Sequence, residues 1–172
     1  MKESSSSAVP WVCFRVAGGD YAIRLGAVVE VMAGRAPELI PLLPLAVGGI
    51  LNARGEPLAV VDGGTLLGEQ PSRSHHHVLV LERGNRRAGI LVDHVLRIER
   101  DLERRLAELG RGAADVAAEP DTGGASHWIE KRHFREGAAI GLVDSEALFE
   151  RAMDLLAGAG SHRRDERCQS AF

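Results

Sequence analysis

The most constraining feature of the sequence is a hairpin pattern near the middle of the chain. Apolar runs at residues 50–51 and 58–61 flank a short polar segment that contains Asn52 and Gly55. Asn and Gly favour a tight reversal, so this pattern predicts a β-hairpin with both residues in its turn. Arg54 lies at the corner, where its guanidinium can be held toward a carboxylate elsewhere in the fold.

Asp62 closes the second strand of this hairpin and predicts a helix cap. Its carboxylate can accept hydrogen bonds from the first free amides of a short helical turn. The same order of strand, aspartate and apolar pair returns at Asp144, which suggests two similar halves. The apolar pairs at matching offsets are Leu66 with Leu67 and Leu148 with Phe149.

Composition bounds the class of protein. The chain has 172 residues, of which 45% are hydrophobic and 26% charged, with a net charge of -3, as expected of one soluble globular domain. Only 4% of residues are aromatic and 20 are glycine, so we expect a strand-rich fold with a core of Val, Leu, Ile and Ala. The cysteines, Cys13 and Cys168, form no disulfide framework, which predicts a cytoplasmic protein.

Alternation of apolar and polar residues predicts further hairpins, and apolar spacing predicts short helices. The additional hairpins are expected over residues 12–25, 77–92 and 127–144. Residues 94–99 fit either an extended strand or a turn. Helices are expected over residues 26–32, 101–109 and 145–156, with residues 110–126 as a long connection.

The termini and the charge pattern limit the organisation and the partners. We expect a flexible leader over residues 1–10, one domain over 11–157 and a flexible polar tail over 158–172. The longest uncharged run, residues 39–53, is shorter than the roughly 20 residues that span a bilayer. Positive and negative charges alternate along the chain without a basic stripe. These features predict neither membrane insertion nor nucleic-acid binding.

Candidate catalytic and metal-binding residues have simpler structural interpretations. The glycine pairs form neither a phosphate-binding loop nor a dinucleotide fingerprint, and no serine lies in a nucleophile elbow. Asp62, Asp93 and Asp144 each end a predicted strand, where a cap is expected rather than an acid–base group. His75 and His77 lack a cysteine or acidic partner at a metal-ligand spacing. We therefore predict no catalytic residue, metal site or cofactor.

The ordered series of motifs resembles the CheW family of chemotaxis coupling proteins. The resemblance runs from about residue 11 to residue 156 and rests on Phe-Arg-Val-Ala-Gly-Gly-Asp-Tyr-Ala-Ile at 14–23, Val-Val-Glu-Val at 28–31, Gly-Gly-Ile-Leu-Asn-Ala-Arg-Gly at 48–55, Val-Val-Asp at 60–62 and Gly-Ile-Leu-Val-Asp at 89–93. It implies a mainly β fold of two intertwined five-stranded SH3-like β-barrels with short helices, a C-terminal helix and a hydrophobic groove between the barrels. In this family residues 28–31 would belong to the first helix.

The resemblance also implies a function and partners. The chain would be a non-catalytic scaffold that joins the cytoplasmic signalling tip of a chemoreceptor to the regulatory domain of a CheA-type histidine kinase, in arrays at the inner face of the membrane. Glu30 and Arg54 match the acid–base pair of the family, and with Val28 and Val31 they would form the receptor-binding surface. The alternative is a ligand-binding sensory or regulatory domain of a related two-component pathway, which predicts an enclosed cavity.

The chain departs from the family after the central Val-Val-Asp motif. Gly63 and Gly64 stand where Leu-Arg is common, and Ala59 replaces the usual proline of that strand. These departures predict a local change in one partner surface.

Overall fold

The computed structural model describes residues 9–39, 44, 46–72, 76–110, 129–135 and 138–169, without the side chains of 107–110, 129–139 and 159–169. Its strands are β1 (Trp11–Val16), β2 (Gly19–Arg24), β3 (Val28–Ala33), β4 (Val47–Ala53), β5 (Glu56–Asp62), β6 (His77–Arg83), β7 (Arg86–Val92), β8 (His94–Glu99), β9 (Ile129–Arg135) and β10 (Ala138–Val143). Its α-helices are α1 (Gly63–Leu67), α2 (Leu102–Gly110) and α3 (Ser145–Gln169), and a short 3₁₀ helix covers Leu25–Ala27.

The strands form two five-stranded sheets of matching design. Sheet 1 has the order β8-β1-β2-β10-β9, and sheet 2 has the order β3-β6-β7-β5-β4. In each sheet two antiparallel hairpins are joined by one parallel contact, between β2 and β10 or between β7 and β5. The predicted hairpins therefore all form, and the fold is mainly β.

The two sheets exchange strands. β3 follows the β1–β2 hairpin of sheet 1 but pairs with β6 of sheet 2. β8 follows the β6–β7 hairpin of sheet 2 but pairs with β1 of sheet 1. This reciprocal exchange is the physical form of the predicted intertwining.

One core is shared by both sheets, and each sheet has a smaller core of its own. Phe14 and Ile23 of sheet 1 pack with Leu79 and Ile90 of sheet 2 and with Phe149 of α3. The core of sheet 1 contains Trp11, Cys13, Ala22, Leu102, Leu106 and Leu142, and that of sheet 2 contains Met32, Leu51, Ala53, Leu58, Val60, Val78, Val80 and Leu91. The central strands are therefore buried on both faces, which explains their nearly continuous apolar sequences.

The helix predicted over residues 26–32 is wrong, because this segment is mostly strand β3. Val28 pairs with Leu81, but Glu30 already pairs with Val80, so the strand carries a bulge between them. Paired residues share a face of the sheet, and the bulge therefore puts Val28 and Val31 on one face although they are three positions apart. This spacing imitates the period of a helix.

The C-terminal helix is longer than predicted. The apolar stripe of residues 145–156 predicts an end near Leu156, whereas α3 continues to Gln169. The division of the chain into leader, domain and tail remains a prediction, since residues 1–8 and 170–172 lie outside the described part. Most of the predicted connection over residues 110–126 also lies outside it.

Candidate functional site

The hairpin between β4 and β5 presents Arg54 at its corner. Arg54 and Gly55 have φ angles of 57° and 91°, and they connect the paired residues Ala53 and Glu56. Positive φ at both central positions is typical of a two-residue turn that matches the twist of its strands. Asn52 Oδ1 accepts a hydrogen bond from the Gly55 amide at 2.7 Å, which fixes the turn.

The structure brings Glu30 and Arg54 together in an ion pair. Arg54 Nε lies 3.1 Å from Glu30 Oε2. The side chain of Arg54 is 76% exposed, whereas that of Glu30 is 23% exposed. Such a pair contributes roughly 0–1 kcal/mol to stability. Its main consequence is therefore positional, since it holds an exposed guanidinium beside the start of β3.

β3 adds exposed apolar area next to this ion pair. Val31 is 43% exposed and Val29 50% exposed, while Val28 is partly buried against the shared core. The predicted receptor residues therefore lie together, although Val28 offers less surface than Val31. The β3 surface is defined here as Val28, Val29, Glu30, Val31 and Arg54.

Several exposed apolar residues lie outside the predicted site. Val29 is one, and Leu96 and Ile98 of β8 are 38% and 59% exposed. A signal for the β8 residues is present in the sequence, because Val-Leu-Arg-Ile at 95–98 has the same order of apolar and charged residues as Val-Val-Glu-Val at 28–31. Only the strand pairing shows that these two segments are equivalent.

The end of β8 carries a carboxylate between two guanidinium groups. Glu99 accepts hydrogen bonds from Arg105 Nη1 at 2.5 Å and from Arg97 Nε at 3.0 Å. These bonds hold the pKa of Glu99 below its ordinary value, because they stabilise the ionised form. The Glu99 side chain is 14% exposed and that of Arg97 is 47% exposed. Arg97 is therefore the more accessible member of this pair.

The aspartates at the strand ends bind backbone amides. Asp62 Oδ1 accepts from the Thr65 amide at 2.6 Å, at the start of α1. Asp144 Oδ1 accepts from the Glu146 and Ala147 amides at 2.8 and 3.1 Å, at the start of α3. Both carboxylates thus occupy cap positions at the start of a helix.

Asp93 and Cys13 have structural surroundings as well. The Asp93 carboxylate accepts from the Ala17 amide at 2.9 Å and from the Ser72 hydroxyl, where the chain crosses between the sheets. Burial raises the pKa of the Cys13 thiol, so little of the nucleophilic thiolate is present. The Asp93 carboxylate is therefore held by structural hydrogen bonds rather than placed as an acid–base group, and the Cys13 thiol is not activated as a nucleophile.

Three histidines, His76, His77 and His94, lie close together near the crossing from β7 of sheet 2 to β8 of sheet 1. The ring centroids of His76 and His94 are 5.1 Å apart, and those of His77 and His94 are 6.2 Å apart. Within the described residues, no three His, Cys, Asp or Glu side chains are arranged to hold a metal ion. His75, the other residue weighed as a ligand, lies outside the described part.

A cavity of about 190 Å³ lies between β6 and the start of α3. Ligand pockets for small molecules usually have roughly 300–1,000 Å³, so this cavity suits a single small group. Two of its lining residues, Arg83 and Glu146, form an ion pair. The lining residues are Ala27, Leu81, Glu82, Arg83, Ser145, Glu146 and Phe149.

No helix in the described part of the chain combines the length and apolarity needed to cross a membrane.

Comparisons with known proteins agree with this architecture. A family model described as CheW-like domain matches residues 10–153. A chemotaxis protein CheW of Rhizobium meliloti (strain 1021) is 30% identical over 86 residues, which are 49% of this chain and only 56% of that relative. The crystal structure of scaffolding protein TtCheW from Thermoanaerobacter tengcongensis matches with a TM-score of 0.61 at 19% identity, covering 83% of this chain and 88% of that one. The structural likeness confirms the predicted fold of two SH3-like barrels.

Proposed function

Because the chain belongs to the family of CheW-like domains, we propose that it is a non-catalytic scaffold that couples a chemoreceptor to a CheA-type histidine kinase. The proposal places it in the cytoplasm at receptor arrays. The observation that carries the proposal is the β3 surface, where exposed valines adjoin the Glu30–Arg54 ion pair at a sheet edge.

The β3 surface suits a helix of the receptor signalling tip. Val29 and Val31 supply apolar contact area, and Val28 supports them from the shared core. Helices that dock in apolar grooves use side chains at intervals of three and four residues, so the two exposed valines of β3 can contact one apolar face of such a helix. Arg54 would set the polar register of that helix, since its position is fixed by Glu30.

The apolar side chains beside β4, the last strand in the order of sheet 2, suit the kinase regulatory domain. β4 ends the sheet, and Glu38 exchanges two backbone hydrogen bonds with Ile50 of β4, at 2.8 and 3.0 Å. This short pairing leaves Leu39 78% exposed and Ile50 36% exposed. The segment at Glu38 covers part of the β4 edge, so further strands do not add to it without limit. The exposed apolar side chains beside this edge can still pack against another barrel. We therefore assign the receptor to the β3 surface and the kinase to the apolar side chains of Leu39 and Ile50 beside β4.

Two single variants test this assignment by isothermal titration against a receptor cytoplasmic fragment and, separately, a kinase regulatory domain. Val31→Asp should weaken receptor binding while kinase binding stays unchanged, because a charge enters the apolar contact. Leu39→Asp should do the reverse. The scaffold function is refuted if the unmodified chain binds neither partner, and the assignment of surfaces is refuted if both variants affect both partners equally.

A further inference from the structure

The segment that follows β3 lies against β4 at the other end of sheet 2. This segment, residues 34–39, is called the arm here. Arg35 Nη1 donates a hydrogen bond to the Asn52 carbonyl oxygen at 3.4 Å. The Glu38 amide donates to the Ile50 carbonyl oxygen at 2.8 Å, and the Ile50 amide donates to the Glu38 carbonyl oxygen at 3.0 Å. The arm is therefore docked on β4 mainly through backbone groups.

Gly49 of β4 leaves the space in which the arm docks. Its φ angle is 121°, a conformation that residues with a side chain rarely adopt. A Cβ atom at this position would lie 2.3 Å from the Glu38 carbonyl oxygen and 3.3 Å from Pro37 Cβ. The carbonyl oxygen belongs to the backbone and cannot rotate away, so any side chain at position 49 would displace the arm.

The two glycines of the Gly-Gly motif at 48–49 have different neighbours. A Cβ atom on Gly48 would lie 2.2 Å from Leu91 Cδ1, and Leu91 belongs to the separate core of sheet 2. The nearest atoms at Gly49 belong to the arm instead. Packing inside the sheet therefore accounts for the first glycine, whereas the docked arm accounts for the second.

The arm buries little of its own surface. Arg35, Ala36, Glu38 and Leu39 are exposed, and Pro37 is half-buried. No arm residue belongs to the three hydrophobic cores found among the described residues. Exposed segments held by a few backbone hydrogen bonds open at a lower free energy than the core strands. The arm can therefore leave β4 while the sheet stays folded.

We propose that the kinase regulatory domain binds the chain only when the arm is docked, and that Gly49 is the positioning residue for this state. The inference rests on the proposed function, in which Leu39 and Ile50 contact the kinase. The bonds between Glu38 and Ile50 hold Leu39, the next residue, near Ile50, so that the two side chains form one apolar contact. Release of the arm separates them, and binding is reduced by the fraction of molecules in the released state.

Gly49→Ala tests the proposal, with Gly18→Ala as the matched control. Gly18 has a φ of 85°, but no atom lies within 4 Å of a Cβ there, so the control carries backbone strain without the steric block. In Gly49→Ala, hydrogen exchange of the Ile50 amide, followed by NMR, should be about tenfold faster, while Leu79 in the shared core stays protected. Titration should show kinase binding about five- to tenfold weaker. Gly18→Ala should match the unmodified chain in both measurements.

Glu38→Pro releases the arm without a change in β4 itself. Proline has no amide hydrogen, so the bond to the Ile50 carbonyl oxygen is lost. Glu38→Ala removes the same carboxylate but keeps the amide, and the difference between the two variants therefore isolates the docking of the arm. We expect faster Ile50 exchange and weaker kinase binding in the proline variant than in the alanine variant. This pair decides the question if Gly49→Ala does not fold.

The outcomes separate the arm from the proposed function. Unchanged kinase affinity in a variant whose Ile50 amide exchanges faster would overturn the inference and leave the proposed function intact. Unchanged Ile50 exchange in both Gly49→Ala and Glu38→Pro would also overturn it, because the arm would then dock without Gly49 and without the Glu38 amide. If the unmodified chain does not bind the kinase regulatory domain, the proposed function fails, and the inference fails with it.

Discussion

Arg54 and Glu30 form an ion pair that joins the two ends of sheet 2. Glu30 lies on β3, the first strand in the sheet order, and Arg54 lies in the turn after β4, the last strand. A hydrogen bond also connects the two ends of the sheet. Arg35, two residues after β3, donates from Nη1 to the carbonyl oxygen of Asn52 in β4 at 3.4 Å. Two end strands can meet only if the sheet curls, so these contacts mark the closure of the barrel.

Charge reversal separates the role of this pair in binding from its role in stability. Glu30→Arg and Arg54→Glu should each weaken receptor binding about five- to tenfold, because the guanidinium at the docking surface is displaced or lost. Each should cost only about 1 kcal/mol of unfolding free energy, as for an exposed pair. The double reversal should recover part of the affinity. Isothermal titration and urea denaturation measure the two effects.

The outcomes of this experiment are distinct. Unchanged affinity in both single reversals would remove the pair from the binding mechanism. A loss of several kcal/mol of stability would instead assign it to the fold.

The shared core predicts that the two sheets unfold together. Leu79 of sheet 2 is fully buried in this core, and Leu79→Ala should cost about 2–5 kcal/mol. Trp11 lies in the separate core of sheet 1, so its fluorescence reports on the unfolding of that sheet. Replacing Trp128, the other tryptophan of the chain, by Phe makes Trp11 the source of the signal. In that background, urea unfolding followed by Trp11 fluorescence and by circular dichroism should shift to the same lower midpoint. An unshifted Trp11 transition would show that the sheets unfold independently.

Gly64 predicts a specific steric cost. A Cβ atom at this position would lie 2.2 Å from the Gln70 carbonyl oxygen, which belongs to the backbone and cannot rotate away. Gly64→Ala should therefore destabilise the protein by about 1–3 kcal/mol. Gly26→Ala is the matched control, because no atom lies within 4 Å of a Cβ there. Thermal unfolding of the two variants compares these costs, and equal stability would contradict the close packing around α1.

Glu99 predicts a loss of stability in acid. Its pKa is lower in the folded protein than in the unfolded chain, so its contribution is present above the unfolded pKa and disappears as the pH falls through the folded pKa. Glu99→Gln should lower the unfolding free energy by about 1 kcal/mol at neutral pH, as for a partly exposed pair. The difference from the unmodified protein should vanish in strong acid. Urea denaturation at several pH values measures this, and a difference independent of pH would exclude the charge as its cause.

Local patterns predict all four hairpins but not the exchange of strands between the two sheets. The turn around Gly55 and the strand ends at Asp62 and Asp144 follow from nearby residues, so they were accessible from sequence. The identity of β3 was not, because its bulge gives Val28 and Val31 the spacing of a helix. The pairing partner of a strand depends on residues far along the chain, which periodicity alone does not specify.

The candidate site was predictable to a similar degree. Resemblance to a known family brought Glu30 and Arg54 together, and the structure gives them a distance of 3.1 Å. Leu96 and Ile98 were missed because residues 94–99 fit either a strand or a turn, and their exposure is decided by which sheet edge β8 occupies.

The exchange of strands also sets an order of events during synthesis. All five strands of sheet 2 follow one another in sequence, from Val28 to Val92, whereas sheet 1 needs strands from before and after this segment. A ribosome that makes the chain from its N-terminus therefore completes sheet 2 while the β1–β2 hairpin still waits for β8, β9 and β10. Until β10 emerges, the apolar strand β2 has an open edge, so the risk of aggregation is concentrated at a hairpin that is made before sheet 2.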